Sequence, residues 1–122
     1  MARSVRERRE MSTEDEFCVV MSTIDTEASA MELAQGMVQS RLAACVQIQP
    51  IRSFYVWNEQ PHSEPEWLLL IKTRLSHYGA LEDFIRSRHG YEVPEIIQLP
   101  IRAGSAAYLR WVALQTSGPP IP

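Results

Sequence analysis

The stretches "AACVQIQPIRSFYVW" (43–57) and "WLLLIKTR" (67–74) lie only nine residues apart. The first alternates Val46 and Ile48 with Gln47 and Gln49, the period of a half-buried strand. The second is near-continuously apolar, as a central strand is. Together they read as one long hairpin, joined by the polar connection "NEQPHSEPE" (58–66). Pro50 interrupts the first strand's ladder and predicts a bulge or a sheet edge there. A hairpin this long constrains the fold more than any other feature, because the remaining elements must cover its faces.

Those elements are legible from their periods. "EFCVVMST" (16–23) is a valine-rich strand candidate. In "DTEASAMELAQGMVQSRL" (25–42), Ala30, Leu33, Ala34, Met37, Val38 and Leu42 share one helical face. Asp25 or Thr26 caps its start. "SHYGALEDFIRSRH" (76–89) is helical in period, with Ser76 as the cap and Tyr78, Leu81, Phe84, Ile85 and Arg88 toward one side. Arg88 and His89 fall in its last turn, and Gly90 is expected at C′ with a left-handed backbone. Pro94 pushes Val93 extended, and "PEIIQLPIRA" (94–103) returns to strand, with Ile97, Leu99 and Ile101 alternating. "SAAYLRWVALQT" (105–116) is a last helix, with Ser105 as cap and Tyr108, Trp111 and Val112 as its sticky face.

The order β-α-β-β-α-β plus a terminal helix is an α+β fold. It is the ferredoxin-like, split-βαβ antiparallel sheet with its helices on one face. The opposite face is left without a helix, the last one excepted. The hairpin carries Phe54, Tyr55, Val56, Trp57 and Trp67, and consecutive aromatics point to opposite faces. A single chain would expose this patch, so Phe54, Tyr55, Trp57 and Trp67 are assigned to an interface between copies.

At 122 residues the chain fits one domain over 16–116, with a leader at 1–15 and a short tail at 117–122. Met11 is an alternative start. A net charge of −3 gives no nucleic-acid footprint. No apolar segment is long enough to span a membrane, and the N-terminus lacks the apolar core of a secretory signal. Cys18 and Cys45 form neither a CxxC pair nor a disulfide framework, which fits a reducing, intracellular compartment.

The chemistry-bearing cluster is "SRHGYEVPEIIQLP" (87–100), with His89, Tyr91, Glu92 and Glu95 inside seven residues. His62, His77 and His89 have no zinc spacing, so a preformed zinc site within one chain is not expected. His89 with Glu92 or Cys45 suits copper, which takes imidazole and thiolate. In its apolar surroundings Cys45 reads otherwise as a buried, inert thiol. Glu92 and Glu95 flank Val93-Pro94 and need not converge as an acid–base pair. Glycine-rich phosphate loops are absent. Acylphosphatases share the topology, but their chemistry needs a glycine-rich turn with an arginine after the first strand. This chain has "STIDTEAS" (22–29) there. An enzyme is not expected.

Several segments together resemble one family. "RLAACVQI" (41–48), "SFYVW" (53–57), "EWLLLIKT" (66–73), "HGYEVPEIIQLPI" (89–101) and "YLRW" (108–111) are similar to the CutA divalent-cation tolerance proteins. The likeness runs in order from about residue 17 to 116. It implies a ferredoxin-like fold, a tight homotrimer like that of PII signal-transduction proteins, a cytoplasmic location, and a link to copper or another divalent cation. No reaction comes with it. The family's "HPYEVPEI" has Gly90 in place of its proline here, and the hairpin-tip glycine is replaced within Asn58-Glu59-Gln60. Where some members carry a cysteine and paired histidines, this chain has Ser22, Arg88 and His89, leaving one of those ligands. Two roles follow. One is a metal-binding trimer with His89, Cys45 and Glu92 as ligands. The other is a PII-like regulatory or scaffold trimer whose inter-subunit cleft, lined by Arg88, Tyr91, Lys72 and Glu95, binds a small anionic ligand or a protein.

Overall fold

The computed structural model describes residues 16–122; the leader expected at 1–15 lies outside them. Strand β1 (Phe17–Ile24) leads to helix α1 (Glu27–Gln39), then to strands β2 (Cys45–Trp57) and β3 (Gln60–Arg74). A 3-10 turn (Leu75–His77) precedes helix α2 (Tyr78–Arg88), which is followed by strand β4 (Ile96–Ile101) and helix α3 (Ala106–Gln115). The sheet order is β2-β3-β1-β4 and every neighbouring pair is antiparallel.

Strand alternation decides what each face does. Cys18, Val20, Leu69, Ile71, Leu81 and Ile85 are fully buried between the sheet and helices α1 and α2. Ala30, Leu33 and Met37 bring one stripe of α1 onto that layer. Thr26 starts α1 as expected, its Oγ1 accepting the Ser29 N–H at 3.1 Å. Ser105 caps α3 in the same way, accepting from the Tyr108 N–H at 3.2 Å. Each such cap contributes about 1 kcal/mol. A second cluster of Phe17, Ala44 and Val112 shows α3 covering one end of the opposite face. Of the sticky face expected on α3, Val112 alone is buried; Tyr108 and Trp111 stay exposed.

The rest of that opposite face is bare. Leu70, Met21 and Ile97 stand in one row across three strands, and Lys72, Val19 and Leu99 in the next. Ile97 is 46% exposed and Leu99 47%, so these strand residues alternate toward solvent in a single chain.

The hairpin is longer than the sequence pattern suggests. Residues 60–66, read as connection, belong to β3, and the two strands pair down to Trp57↔Gln60. Register runs unbroken through Pro50↔Trp67, so there is no bulge; β2 is an edge strand, where proline is tolerated. The two-residue turn, Asn58 and Glu59, has φ of 52° and 61°. Tight hairpins favour this geometry, but a non-glycine residue there is strained by roughly 1 kcal/mol. Glu59→Gly is expected to raise stability by about that much, read as a shift in the urea midpoint at unchanged slope.

Two other local expectations fail. Ser76 sits inside the 3-10 turn, and α2 starts with no side-chain cap because the tight turn supplies the preceding backbone bond, Tyr78 N–H to Leu75 C=O. Gly90 is not left-handed: among the described residues Gly118 is the glycine at positive φ. Helix α2 exits through His89 in an extended conformation, φ −88° and ψ 140°.

The tail is docked. Arg41, at φ 67°, donates from Nε to the Pro119 carbonyl and from Nη1 to the Gln115 carbonyl, each at 3.3 Å. The Ile121 N–H donates to the Gln39 carbonyl at 2.8 Å.

Burial pushes the Cys18 thiol up to about 11 from an ordinary 9.0. The fold therefore favours the neutral thiol. Its contribution is complete below pH 9 and is lost as pH rises through 11. Two pKa units correspond to about 2–3 kcal/mol. Wild-type stability is expected to fall between pH 9 and 11 more steeply than that of Cys18→Ala, measured by urea midpoints across that range.

Candidate functional site

The loop between α2 and β4 is tied to the sheet by side chains. The His89 Nε2 lies 2.6 Å from the Thr23 carbonyl, and the Tyr91 N–H donates to His89 Nδ1 at 3.0 Å. Those contacts define a neutral ring protonated on Nε2, with both nitrogens occupied. The His89 and Tyr91 rings stand 4.6 Å apart. The Tyr91 hydroxyl donates to Glu66 Oε2 at 2.8 Å, and Glu66 is a buried carboxylate. Burial, that bond and the charges of Glu66, Asp25 and Glu64 raise the Tyr91 phenol far above its ordinary value of 10. Tyr91 is a fixed donor here and supplies no anionic oxygen.

The loop faces the hairpin across a cavity of about 260 Å³, lined by Tyr55, Trp57, Glu64, Tyr91, Glu92 and Val93. Tyr55 stacks on His62 directly opposite it, with centroids 5.3 Å apart and planes 17° off parallel. A hydrogen bond to Glu64 raises the Tyr55 phenol, with lesser help from burial and the Glu66 charge.

The sequence-nominated residues scatter over the fold. Cys45 is half-buried at the start of β2, opposite Lys72, and Lys72 in turn pairs with Val19 on β1. His89 reaches β1 at Thr23, four positions further along, or about 13 Å by strand rise. Lys72 donates to the Gln47 side chain. Arg88 lies over the Phe84 ring at 3.8 Å and lines a groove between α1 and α2. Glu95 is exposed. Of the nominated hairpin aromatics, Phe54 is exposed, Trp67 packs against the main core, and Tyr55 and Trp57 line the cavity. Ser22 is buried and its hydroxyl has no hydrogen-bond partner among the described residues.

Among the described residues, no three His, Cys, Asp or Glu side chains converge as a metal set. His89, Cys45 and Glu92 of one chain are thus not gathered, and the engaged His89 ring offers no lone pair. The described residues of one chain do not fit a tightly held metal. Sequence reading missed Glu66, Glu64 and Thr23. Glu66 opens the apolar run "EWLLL", and a carboxylate at that boundary was the available signal.

The antiparallel 2-3-1-4 sheet, helices α1 and α2 on one face and the extended hairpin define a ferredoxin-like α+β protein. The family profile described as CutA1 divalent ion tolerance protein matches residues 18–115. The chain belongs to the CutA divalent-cation tolerance family. It is 39% identical over 99 residues to the divalent-cation tolerance protein CutA of Thermus thermophilus, covering 80% of this chain and 96% of that one. It is 46% identical over 91 residues to human protein CutA, covering 74% of this chain and 51% of that one. The matched region thus spans about half the length of the human relative. Among solved structures, CutA1 from Oryza sativa superposes with a TM-score of 0.81 at 39% identity, covering 84% of this chain and 94% of that one. The periplasmic divalent cation tolerance protein CutA from Archaeoglobus fulgidus gives 0.82 at 28%, covering 83% and 99%. No helix among the described residues is long and apolar enough to cross a membrane.

Proposed function

We propose that this chain acts as a non-enzymatic, cytoplasmic homotrimer in tolerance to copper or another divalent cation. The role belongs to the assembly, not to a metal held tightly within one chain. The observation that supports it is the bare apolar row of Leu70, Met21 and Ile97 with Leu99 beside it. Contiguous apolar surface of this kind marks an interface between chains. Three copies, as opposed to two, is what the resemblance to CutA proteins implies. Light scattering on the purified chain is expected to give about three times the 13.9 kDa of one chain. A mass of one chain at micromolar concentration sinks the reading. Copper(II) added to the tag-free protein is expected to bind weakly by calorimetry, and a tight, stoichiometric isotherm would contradict the assignment of the role to the assembly.

The cavity beside the hairpin favours a second reading, a PII-like scaffold that takes a small ligand. Its lining of rings and carboxylates does not suit the anion expected from Arg88, Tyr91, Lys72 and Glu95, since neither cation lines it.

A further inference from the structure

The cavity between the hairpin and the α2–β4 loop has a composition of its own. Tyr55, Trp57 and Tyr91 present three aromatic rings, and Glu64 and Glu92 add two carboxylates. Among the described residues no lysine, arginine or histidine lines it. Aromatic faces carry negative potential and attract cations, Trp most strongly. The three rings and two carboxylates of the described lining therefore favour positive charge.

Which cation fits is decided by the donors. A hard divalent ion needs six or more oxygen ligands, or several waters in their place. A transition metal favours imidazole or thiolate, and the lining has neither. The Tyr91 hydroxyl is spent on Glu66, and the Tyr55 hydroxyl lies beside Glu64. A diffuse, weakly hydrated organic cation needs no coordination sphere. It gains from ring faces and from carboxylates at contact distance. Val93 adds an apolar wall that methyl groups can meet. The volume of about 260 Å³ lies below the usual range for drug-sized ligands, which fits one small head group and not a nucleotide.

We propose that this cavity binds the methylated ammonium head group of a small molecule. Trp57, Tyr55 and Tyr91 form the cage, and Glu64 and Glu92 set the charge. All six lining residues belong to a single chain, and the titration is made on the native assembly because Tyr55 and Trp57 are also assigned to the interface between copies.

The test is a calorimetric titration of the full chain, in its native assembly, with choline chloride and with tetramethylammonium chloride. Ionic strength is held constant with potassium chloride. Saturable binding in the millimolar range is expected for both probes. Trp57→Leu is expected to weaken it about tenfold and Glu92→Gln about threefold. Both residues are exposed, and circular dichroism with a solution mass checks that each variant folds and assembles as the wild type does. No saturable heat up to about a hundred millimolar overturns the proposal. So does binding that both substitutions leave unchanged. Copper(II) binding that Glu92→Gln abolishes, with no response to either organic cation, overturns it in favour of a metal.

Discussion

Aspartates at Ile97 and Leu99 are expected to release single chains. In one chain these side chains are about half exposed, so the double variant should keep its far-ultraviolet spectrum. In an assembly built on the bare sheet face, both carboxylates would be buried against apolar neighbours. An unpaired buried charge costs several kcal/mol, and the symmetry of a trimer would repeat that cost in each subunit. Light scattering should fall from the assembled mass to about 13.9 kDa. The melting temperature should drop with it, because association no longer adds to stability. A double variant that remains assembled would move the interface elsewhere, with the exposed Phe54 and Val56 of the hairpin the next surface to alter.

His89→Ala is expected to destabilise the chain by about 2–4 kcal/mol and to leave copper affinity as it was. The ring donates to Thr23, whose carbonyl lies at the buried end of β1, and accepts from Tyr91. Removing it forfeits two hydrogen bonds and leaves a shielded carbonyl unpartnered, at 1–3 kcal/mol for that group alone. Tyr91 would lose its ring neighbour and part of its hold on Glu66. Urea denaturation measures the first half and copper calorimetry the second. A variant of native stability that binds copper more weakly than wild type would reverse the assignment and make His89 a ligand.

The element order was readable because each element buries one face, and burial writes a period into the sequence. Leu33 and Met37 in α1, and Leu81 and Ile85 in α2, carry that period plainly. The distal half of the hairpin does not. Residues 60–66 pair with β2 beyond the rest of the sheet, where both faces are largely solvated, and their composition mimics a loop. Gly90 looked like a helix terminator of the left-handed kind. The actual exit is fixed by the His89 contact with Thr23, sixty-six residues away, and no local rule contains that. Of the site, the turn at 89–92 was legible as a place. What it meets was not. Glu66 comes under Tyr91 only once β3 is placed against β1, and Lys72 and Arg88 part company for the same reason.

Arg41 has a consequence for the order of events during folding. Its left-handed backbone closes the turn after α1, yet its guanidinium is satisfied by carbonyls of residues 115 and 119. Those contacts span more than seventy residues. Local and hairpin contacts close with far less loss of chain entropy, so the sheet and α1 can form first. The turn's backbone bonds, from the Arg41 N–H to Val38 and from the Leu42 and Ala43 N–H groups to Met37, are local and can close early. The guanidinium contacts come only once Pro119 has been synthesised and α3 has docked, so the turn's hydrogen exchange in a refolding chain should show a second, later slowing in step with that docking.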